Sequence, residues 1–358
     1  MPLLRQMHES GWYSNFGPLA TEFERCLLER FGSAGETCVT CCNATAGLSA
    51  ALLASGRSGR VLIPAFTFAA SLGAVRAAGM TPVVVEVDAV SWAFNPDLLV
   101  AALEATGATA VMLVAPFGMR RDWRAEIEIC RSRGAAVVID NAGGLGVPRA
   151  TPVQQDVFEV FSMHATKPFA VGEGGAIFSH AGNDAALRGA LNFALASAEG
   201  APAWGFNGKM SELHAAVGLA QLTRIADLVE RRQAFAALYR EGLFGHSNLQ
   251  VPQDTRAAPW QGFPVLLPHA QAAERFIADA AECGIEIRRY YRPSLSRWPE
   301  AEQYGPCPVS EDLADRMCVL PVRALTAQTR PLAHLVLDTL QRTLADGNAV
   351  AAPAAYMS

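Results

Sequence analysis

Lysine is almost absent from this sequence of 358 residues: arginine carries nearly all of the basic charge, and lysine occurs only at positions 167 and 209. Two side-chain amines are therefore present that could form an imine with a carbonyl compound. An excess of basic charge is also missing. The formal net charge is −5, whereas nucleic-acid binding requires a concentrated basic face. We therefore expect no nucleic-acid partner.

Zinc-binding and membrane-spanning patterns are missing as well. The eight cysteines do not form the paired CxxC motifs typical of a zinc site, so no metal is expected. No apolar run is long enough to cross a bilayer, and the N-terminus lacks the apolar core of a signal peptide. These features predict a protein of the reducing cytoplasm without a membrane partner.

Short apolar runs alternate with helical patterns between residues 36 and 180. Several runs are apolar throughout, as expected for strands covered on both faces. The alternation predicts an α/β fold with a mostly parallel, doubly wound sheet that binds its ligand at the carboxyl ends of the strands. The predicted strands are Thr37–Thr40, Arg60–Ile63, Thr81–Val87, Ala108–Val114, Ala135–Ile139, Val157–Phe161 and Gly175–Phe178, and the predicted helices include Ala46–Ala54, Phe68–Ala78 and Asp122–Arg133.

The last third of the chain predicts a smaller α/β domain that follows one long helix over Ser211–Tyr239. A stretch at 246–259 that contains proline, asparagine and glutamine indicates a boundary. We therefore expect an N-terminal arm and large domain at 1–245 and a small domain at 246–358, with a loosely ordered tail from Asn348. The predicted elements of the small domain are strands at Gly262–Leu267 and Ile285–Arg289 and helices at Gln271–Cys283 and Leu332–Leu344.

Lys167 is the first candidate for chemistry. A predicted strand runs into the loop that carries it, and Gly172–Gly175 follows, where glycines allow the backbone to pass close to a ligand. A lone lysine is usually a solvated surface charge, but the neighbours here are mostly small or apolar. The pattern fits a lysine that forms a Schiff base with pyridoxal 5′-phosphate (PLP). That cofactor also needs an acid at its pyridine nitrogen, an anion site and a side chain against its ring.

Asp140 and Phe68 fit two of those needs. Asp140 ends an apolar strand, which directs its carboxyl group toward the ligand crevice, and a turn or helix cap is the alternative. Phe68 begins a predicted helix at the same edge of the sheet. It either stacks on a cofactor ring or belongs to the core.

Thr45 and Ser162 fit the need for an anion site. Thr45 lies between a strand and the helix that begins at Ala46, where free N–H groups bind phosphate. The alternative for Thr45 is a simple N-cap. Ser162 precedes Lys167 by five residues and is near enough to reach the same phosphate.

In register, these residues resemble the DegT/DnrJ/EryC1/StrS family of fold-type-I PLP-dependent sugar aminotransferases over about Gly11 to Pro321. The resemblance implies a homodimer with shared active sites, because the family's counterpart of Asn207 reaches the phosphate of the neighbouring subunit. The segments that carry the resemblance are Gly11–Pro18, Glu22–Glu24, Asn43–Ala46, Pro64–Phe68, Asp140, Ser162, Lys167, Gly172–Gly175, Gly205–Met210, Ala215–Ala216, Gln221–Leu222, Arg288–Tyr291 and Leu320–Pro321.

The resemblance also implies roles for single residues. Lys167 and Asp140 become the catalytic imine lysine and the pyridinium partner. The residues implied to bind PLP are Thr45, Ala46, Phe68, Asp140, Ser162, Lys167 and Asn207, and the candidates for substrate binding are Tyr13, Asn15, His164, Arg289 and Tyr290.

Three positions depart from the family pattern. Gly143 stands where glutamine or histidine commonly bonds the phenolic oxygen of the cofactor, Ala44 replaces a usual glycine, and Lys209 replaces a frequent arginine. The departures bear on the electronic tuning of the ring and on the choice of substrate.

The resemblance implies transfer of an amino group from an amino acid, usually L-glutamate, to the ketone of a nucleotide-linked sugar. The nearby arginines at 288, 289 and 292 either bind the diphosphate of such a substrate or are simply solvated. Amination of a ketocyclitol or another non-nucleotide ketone stays open. So does PLP- or pyridoxamine-dependent sugar dehydration, for which related enzymes carry histidine in place of the imine lysine. A PLP-binding regulatory protein without turnover is a further alternative.

Overall fold

The computed structural model describes residues 2–151, 154–195, 202–299 and 301–349. Its main feature is an eight-stranded sheet in the order β1-β7-β6-β5-β4-β2-β3-β9, in which β7 runs antiparallel to both of its neighbours and the other pairs are parallel. The predicted mostly parallel α/β sheet is confirmed. The strands are β1 Glu36–Cys41, β2 Arg60–Pro64, β3 Thr81–Val85, β4 Ala110–Val114, β5 Ala136–Asp140, β6 Val157–Ser162, β7 Gly175–His180 and β9 Glu302–Tyr304.

Helices connect the parallel strands, and local sequence explains where several of them begin. Asn43, Asn95 and Ser211 each accept a hydrogen bond from an N–H group in the first turn of the helix that follows. The helices are α1 Pro2–Ser10, α2 Pro18–Phe31, α3 Ala44–Ala54, α4 Ala69–Ala77, α5 Pro96–Thr106, α6 Arg124–Ser132, α7 Asp184–Leu191, α8 Glu212–Leu222, α9 Ile225–Gly242, α10 Ala270–Glu282, α11 Pro308–Arg316 and α12 Arg330–Ala349.

The structure corrects two predicted elements. The single helix over Ser211–Tyr239 is wrong, because the chain breaks between α8 and α9 at Thr223 and Arg224. There the Arg224 N–H bonds the carbonyl of Gln221, three residues back, and closes a turn. The strand at Ile285–Arg289 is also wrong: in this stretch the ladder is reduced to a single bridge between Arg288 and Val319.

A second, two-stranded sheet pairs β8 Gly262–Leu266 with β10 Met317–Pro321 in antiparallel register. Its strands, α9, α10 and α12 share a separate apolar cluster. Strand β9, although it comes late in the chain, pairs with β3 at the edge of the large sheet. The division of the chain at residue 245 remains a prediction. Most of the tail expected to be loosely ordered lies outside the described residues.

Candidate active site

Lys167 lies in the loop between β6 and β7 that the sequence singled out. The loop folds back on itself, since the Lys167 N–H donates to the His164 carbonyl at 2.8 Å and the Ala165 N–H donates to the Gly172 carbonyl at 2.8 Å. The Nζ atom donates to Oε1 of Gln261 at 2.8 Å. Burial lowers the pKa of Lys167, and the negative charge of Asp140 opposes that shift. The amine is therefore easier to deprotonate than an exposed lysine.

Asp140 ends β5 near the middle of the sheet, with a side chain that is 6% exposed. One carboxyl oxygen accepts from the Ala142 N–H at 3.1 Å and the other accepts from the Ser71 hydroxyl at 3.2 Å. Burial raises the pKa of Asp140, and the Ala142 N–H, Lys167 and Ser71 oppose the shift. The structure thus brings Lys167 and Asp140 within electrostatic reach. The same carboxyl group also closes a local turn by accepting the Ala142 N–H.

The start of α3 faces the end of β6. Asn43 caps the helix, because its Oδ1 accepts from the Ala46 N–H at 2.9 Å, so the alternative in which Thr45 is the N-cap is wrong. Thr45 lies in the first turn with an exposed side chain. Ser162 pairs with Gly175 across β6 and β7, and a Cβ built on Gly175 would lie 3.0 Å from the Ala44 nitrogen. A hydroxyl group and a helix N-terminus therefore lie close together.

Asn207 lies beside the same turn. The Cys42 N–H, just before the helix cap, donates to the carbonyl of Gly208 at 2.7 Å. The ammonium of Lys209 donates to Oδ1 of Asn192 at 2.7 Å and to Oδ1 of Asn207 at 2.8 Å, and it sits 5.0 Å from the centre of the Phe193 ring. Burial lowers the pKa of Lys209. Both lysines are thus held by amide oxygens.

Phe68 and Tyr290 are brought together, although they are distant in sequence. Their ring centres are 6.4 Å apart in an edge-on arrangement, and Phe68 is 57% exposed. Phe68 is therefore not the core residue that the sequence left open as its alternative. Arg289 donates to the carbonyl of Asp315 and lies 4.0 Å from Glu274, while its Nε is buried and has no hydrogen-bond partner in the part of the chain that the structure describes. Arg288 contacts the Tyr290 hydroxyl at 3.2 Å.

Three other candidates, in the part of the chain that the structure describes, make no hydrogen bond to the side chain of Lys167. Among the described residues, no hydrogen bond or ion pair joins Tyr13 or Asn15 to Lys167; the Tyr13 carbonyl accepts from the Glu212 N–H at 3.0 Å, and Asn15 is exposed. His164 shares a hydrogen bond of 2.9 Å with the Thr166 hydroxyl, and its Nε2 is 3.6 Å from Glu173.

Sequence reasoning missed several residues around the Lys167 and Asp140 pair. Gln261 and Ser71 bond these side chains directly. Tyr291 stacks on Phe117 with ring centres 5.5 Å apart and lies within electrostatic reach of Asp140. No local pattern marked Gln261, which joins the site through a tertiary contact. Tyr291 lay in a segment that resembles the family, but no role was predicted for it. Ser71 lay inside a correctly predicted helix and one turn after Phe68, which was a usable signal.

Gly143 approaches the backbone of a neighbouring loop. A Cβ built on Gly143 would lie 3.1 Å from the Gly118 nitrogen, and one built on Gly118, whose φ is +75°, would lie 2.3 Å from the carbonyl carbon of Gly143. Both positions therefore favour glycine on packing grounds. The contact between these two loops therefore favours glycine at position 143, where the family commonly has glutamine or histidine.

The donor set fits PLP. A half-buried amine and a buried carboxylate lie within electrostatic reach of each other, and a helix N-terminus and a hydroxyl lie close together at the ends of β1 and β6. An exposed aromatic ring precedes the helix whose Ser71 bonds Asp140. Among residues 2–151, 154–195, 202–299 and 301–349, no group of three or more histidine, cysteine or acidic side chains could hold a metal ion. In the same ranges, no helix is long and apolar enough to cross a membrane.

A mostly parallel sheet that carries a lysine and an acid at its ligand edge defines a fold-type-I PLP-dependent enzyme. Residues 1–333 match the model of the DegT/DnrJ/EryC1/StrS aminotransferase family. The chain belongs to this family, and it is a PLP-dependent aminotransferase.

Relatives and solved structures cover nearly the whole chain. A Mycobacterium tuberculosis (strain H37Rv) protein whose name states no activity is 29% identical over 95% of this chain and 84% of its own length. GDP-perosamine synthase of Escherichia coli O157:H7 is 28% identical over 87% of each chain. A crystal structure of DesI, determined in the presence of its TDP-sugar product, is 30% identical, covers 98% of this chain and 92% of DesI, and superposes with a TM-score of 0.85.

Proposed function

We propose that this aminotransferase moves the amino group of L-glutamate to the ketone of a nucleotide-linked sugar. The observation that carries the proposal is the half-buried Lys167 beside the buried Asp140, in a chain similar to GDP-perosamine synthase and to DesI, the latter crystallised in the presence of its TDP-sugar product. Bound PLP would supply an electron sink for the carbanion formed at the substrate carbon.

The residues of the chain have separable tasks in this proposal. Asp140 would hold the pyridine nitrogen, and Phe68 would lie against the ring. Lys167 would bind the cofactor covalently. Once released, it would take a proton from the substrate α-carbon and deliver it to the cofactor carbon to which the lysine had been bound, for which a lowered pKa is suitable. The phosphate would be held by Ser162, by the start of α3 at Thr45 and Ala46, and by Asn207.

We also propose a homodimer with shared active sites. Asn207 is exposed, and two exposed aromatic side chains lie near it in sequence: Phe193, which packs on Lys209, and Trp204. These side chains support the proposal, because exposed apolar patches mark surfaces that bind another chain. The reducing cytoplasm remains part of the proposal and is supported by eight free thiols.

Mixed dimers test the shared site. Inactive Lys167→Ala subunits and inactive Asn207→Asp subunits, once exchanged, should regain activity in hybrids that combine an unaltered Lys167 with an unaltered Asn207 of the other chain. Homodimers of each variant provide the control. Absence of recovery despite proven subunit exchange would show that each site is self-contained.

A panel of nucleotide-linked keto sugars tests the substrate class. With glutamate as donor, mass spectrometry should detect an aminated nucleotide sugar and 2-oxoglutarate. Amination of a free ketone or ketocyclitol, with none of the nucleotide sugars, would replace the proposed acceptor. A glutamate half-reaction that never changes the absorption of the bound cofactor would indicate a protein without turnover.

A further inference from the structure

We infer that Gln261 is a positioning residue, whose amide oxygen fixes the orientation of the Lys167 amine. Gln261 lies 94 residues from Lys167 in sequence, and its Oε1 accepts from Nζ at 2.8 Å. Among the described residues, this is the one hydrogen bond made by Nζ. The inference rests on the part of the proposed function that makes Lys167 the imine lysine, and it is independent of the sugar.

The Gln261 side-chain amide can bond the Lys167 ammonium only through its oxygen. A protonated amine donates hydrogen bonds and accepts none, so the oxygen of Gln261 must point toward it. The amide nitrogen then donates to the Thr166 hydroxyl at 3.1 Å. Thr166 precedes Lys167, so the same side chain holds two consecutive residues of the loop.

The backbone beneath Gln261 is itself fixed. Arg232 donates from Nε to the Trp260 carbonyl at 2.8 Å and from Nη2 to the Gln261 carbonyl at 3.2 Å. Trp260 is fully buried, has a φ of +52° and donates from its indole nitrogen to the Thr255 carbonyl at 2.6 Å. A left-handed tryptophan persists only where its surroundings hold it. The backbone from which the Gln261 side chain extends is therefore held in place.

A neutral acceptor suits an amine that must act as a base. A carboxylate at this place would favour the charged ammonium, which has no lone pair, and an apolar side chain would leave the amine free to rotate. An amide oxygen engages one N–H and leaves the lone pair for the reacting carbon. Burial already lowers the pKa of Lys167, and Gln261 adds orientation without adding charge.

The scarcity of lysine makes a direct test available. The full-length protein, freed of cofactor, is treated with acetic anhydride across a range of pH, and peptide mass spectrometry reads acetylation at Lys167 and Lys209 separately. Gln261→Glu should move the Lys167 labelling profile to higher pH, because a carboxylate stabilises the ammonium. Gln261→Met should move it to lower pH, because the charged form loses an acceptor. At the wild-type midpoint, each rate should change by about fivefold, in opposite directions.

Gln233→Met is the matched control. The Gln233 amide donates to the carbonyls of Arg256 and Ala258 in the segment that leads to Gln261, without contacting Lys167. This variant should leave both profiles unchanged. Lys209, held by Asn192 and Asn207, is an internal control in every sample.

The inference is overturned if the Lys167 labelling profile of either Gln261 variant does not shift in the stated direction although circular dichroism shows that the variant is folded. If Gln261→Met does not fold, the nearly isosteric Gln261→Glu decides alone. In loaded enzyme, Gln261→Met should lower kcat for the glutamate half-reaction with little change in KM. Because the labelling uses no sugar, its result stands whether or not the proposed acceptor is correct.

Discussion

The surroundings of the two lysines, Lys167 and Lys209, are alike in one respect and different in another. Both ammonium groups are held by amide oxygens, and burial lowers both pKa values. Lys209 has two amide acceptors and an aromatic ring, whereas Lys167 has one acceptor and faces the buried carboxyl group of Asp140. Burial and amide acceptors are therefore common to both lysines, and the nearby buried acid is what distinguishes Lys167, the proposed Schiff-base lysine, from Lys209.

The largest expected difference is between removal of one lysine and removal of the other. Lys167→Ala should lower the rate of transamination about a millionfold, the effect that loss of a covalent nucleophile has in other enzymes. Borohydride reduction of the loaded wild type should place the cofactor label on Lys167. A label on Lys209, found by peptide mapping, would reverse the assignment.

Asp140→Asn should lower turnover by roughly a hundredfold to a thousandfold, the scale for removal of one electrostatic stabiliser from an active site. The fold should persist, because asparagine can keep the hydrogen bond with the Ala142 N–H. Stopped-flow measurement of the glutamate half-reaction provides the test. Near-normal rates would remove Asp140 from the mechanism.

The same variant gives a pH test of stability in the cofactor-free protein. Because burial raises the pKa of Asp140, its protonated form favours folding at acid pH, and this contribution is lost as pH rises through the folded-state pKa. Asp140→Asn stays neutral and keeps the contribution. Its free energy of unfolding, from urea titration, should therefore exceed that of the wild type at neutral pH, with the difference shrinking toward acid pH. A difference independent of pH would contradict this view.

Lys209→Met should act on stability more than on chemistry. It removes two hydrogen bonds to amide oxygens that water can partly reach, which costs about 1 kcal/mol of unfolding free energy. Lys209→Arg, the residue frequent in the family, should recover most of the loss. Urea unfolding of both variants checks this expectation, and equal losses in the two would show that the donor is unimportant.

The smallest effect concerns the arginines beside Tyr290. If one of Arg288, Arg289 and Arg292 binds diphosphate, its alanine variant should raise KM for the nucleotide sugar about tenfold, the loss of one charge-assisted hydrogen bond. The glutamate half-reaction should stay unchanged. Steady-state kinetics of the three variants separate this role from the ion pairs that Arg292 makes with Glu274 and Asp315.

Most of the large sheet was predictable because several of its strands, such as β4 and β5, are nearly continuous apolar runs, and the position of Asp140 followed from the end of one such run. Strand β9 is short and polar and was not predicted. The break at Thr223 was not predictable, since neither proline nor glycine marks it. The contact between Gln261 and Lys167 was not predictable either, because no sequence pattern indicates a contact between residues 94 positions apart. Thr45 was placed in the correct turn, but Asn43 took the cap because its side chain precedes the first helical residue.

The pairing of β9 with β3 has a consequence for shortened forms of the chain. An edge strand with unpaired N–H and C=O groups is a template for association with other chains, and β9, from residues 302–304, covers that edge of the large sheet. A polypeptide ending at residue 245 would keep most of the large-sheet strands and Lys167, yet it would expose the backbone of β3. The late part of the chain thus protects the early part against aggregation, whatever else it contributes.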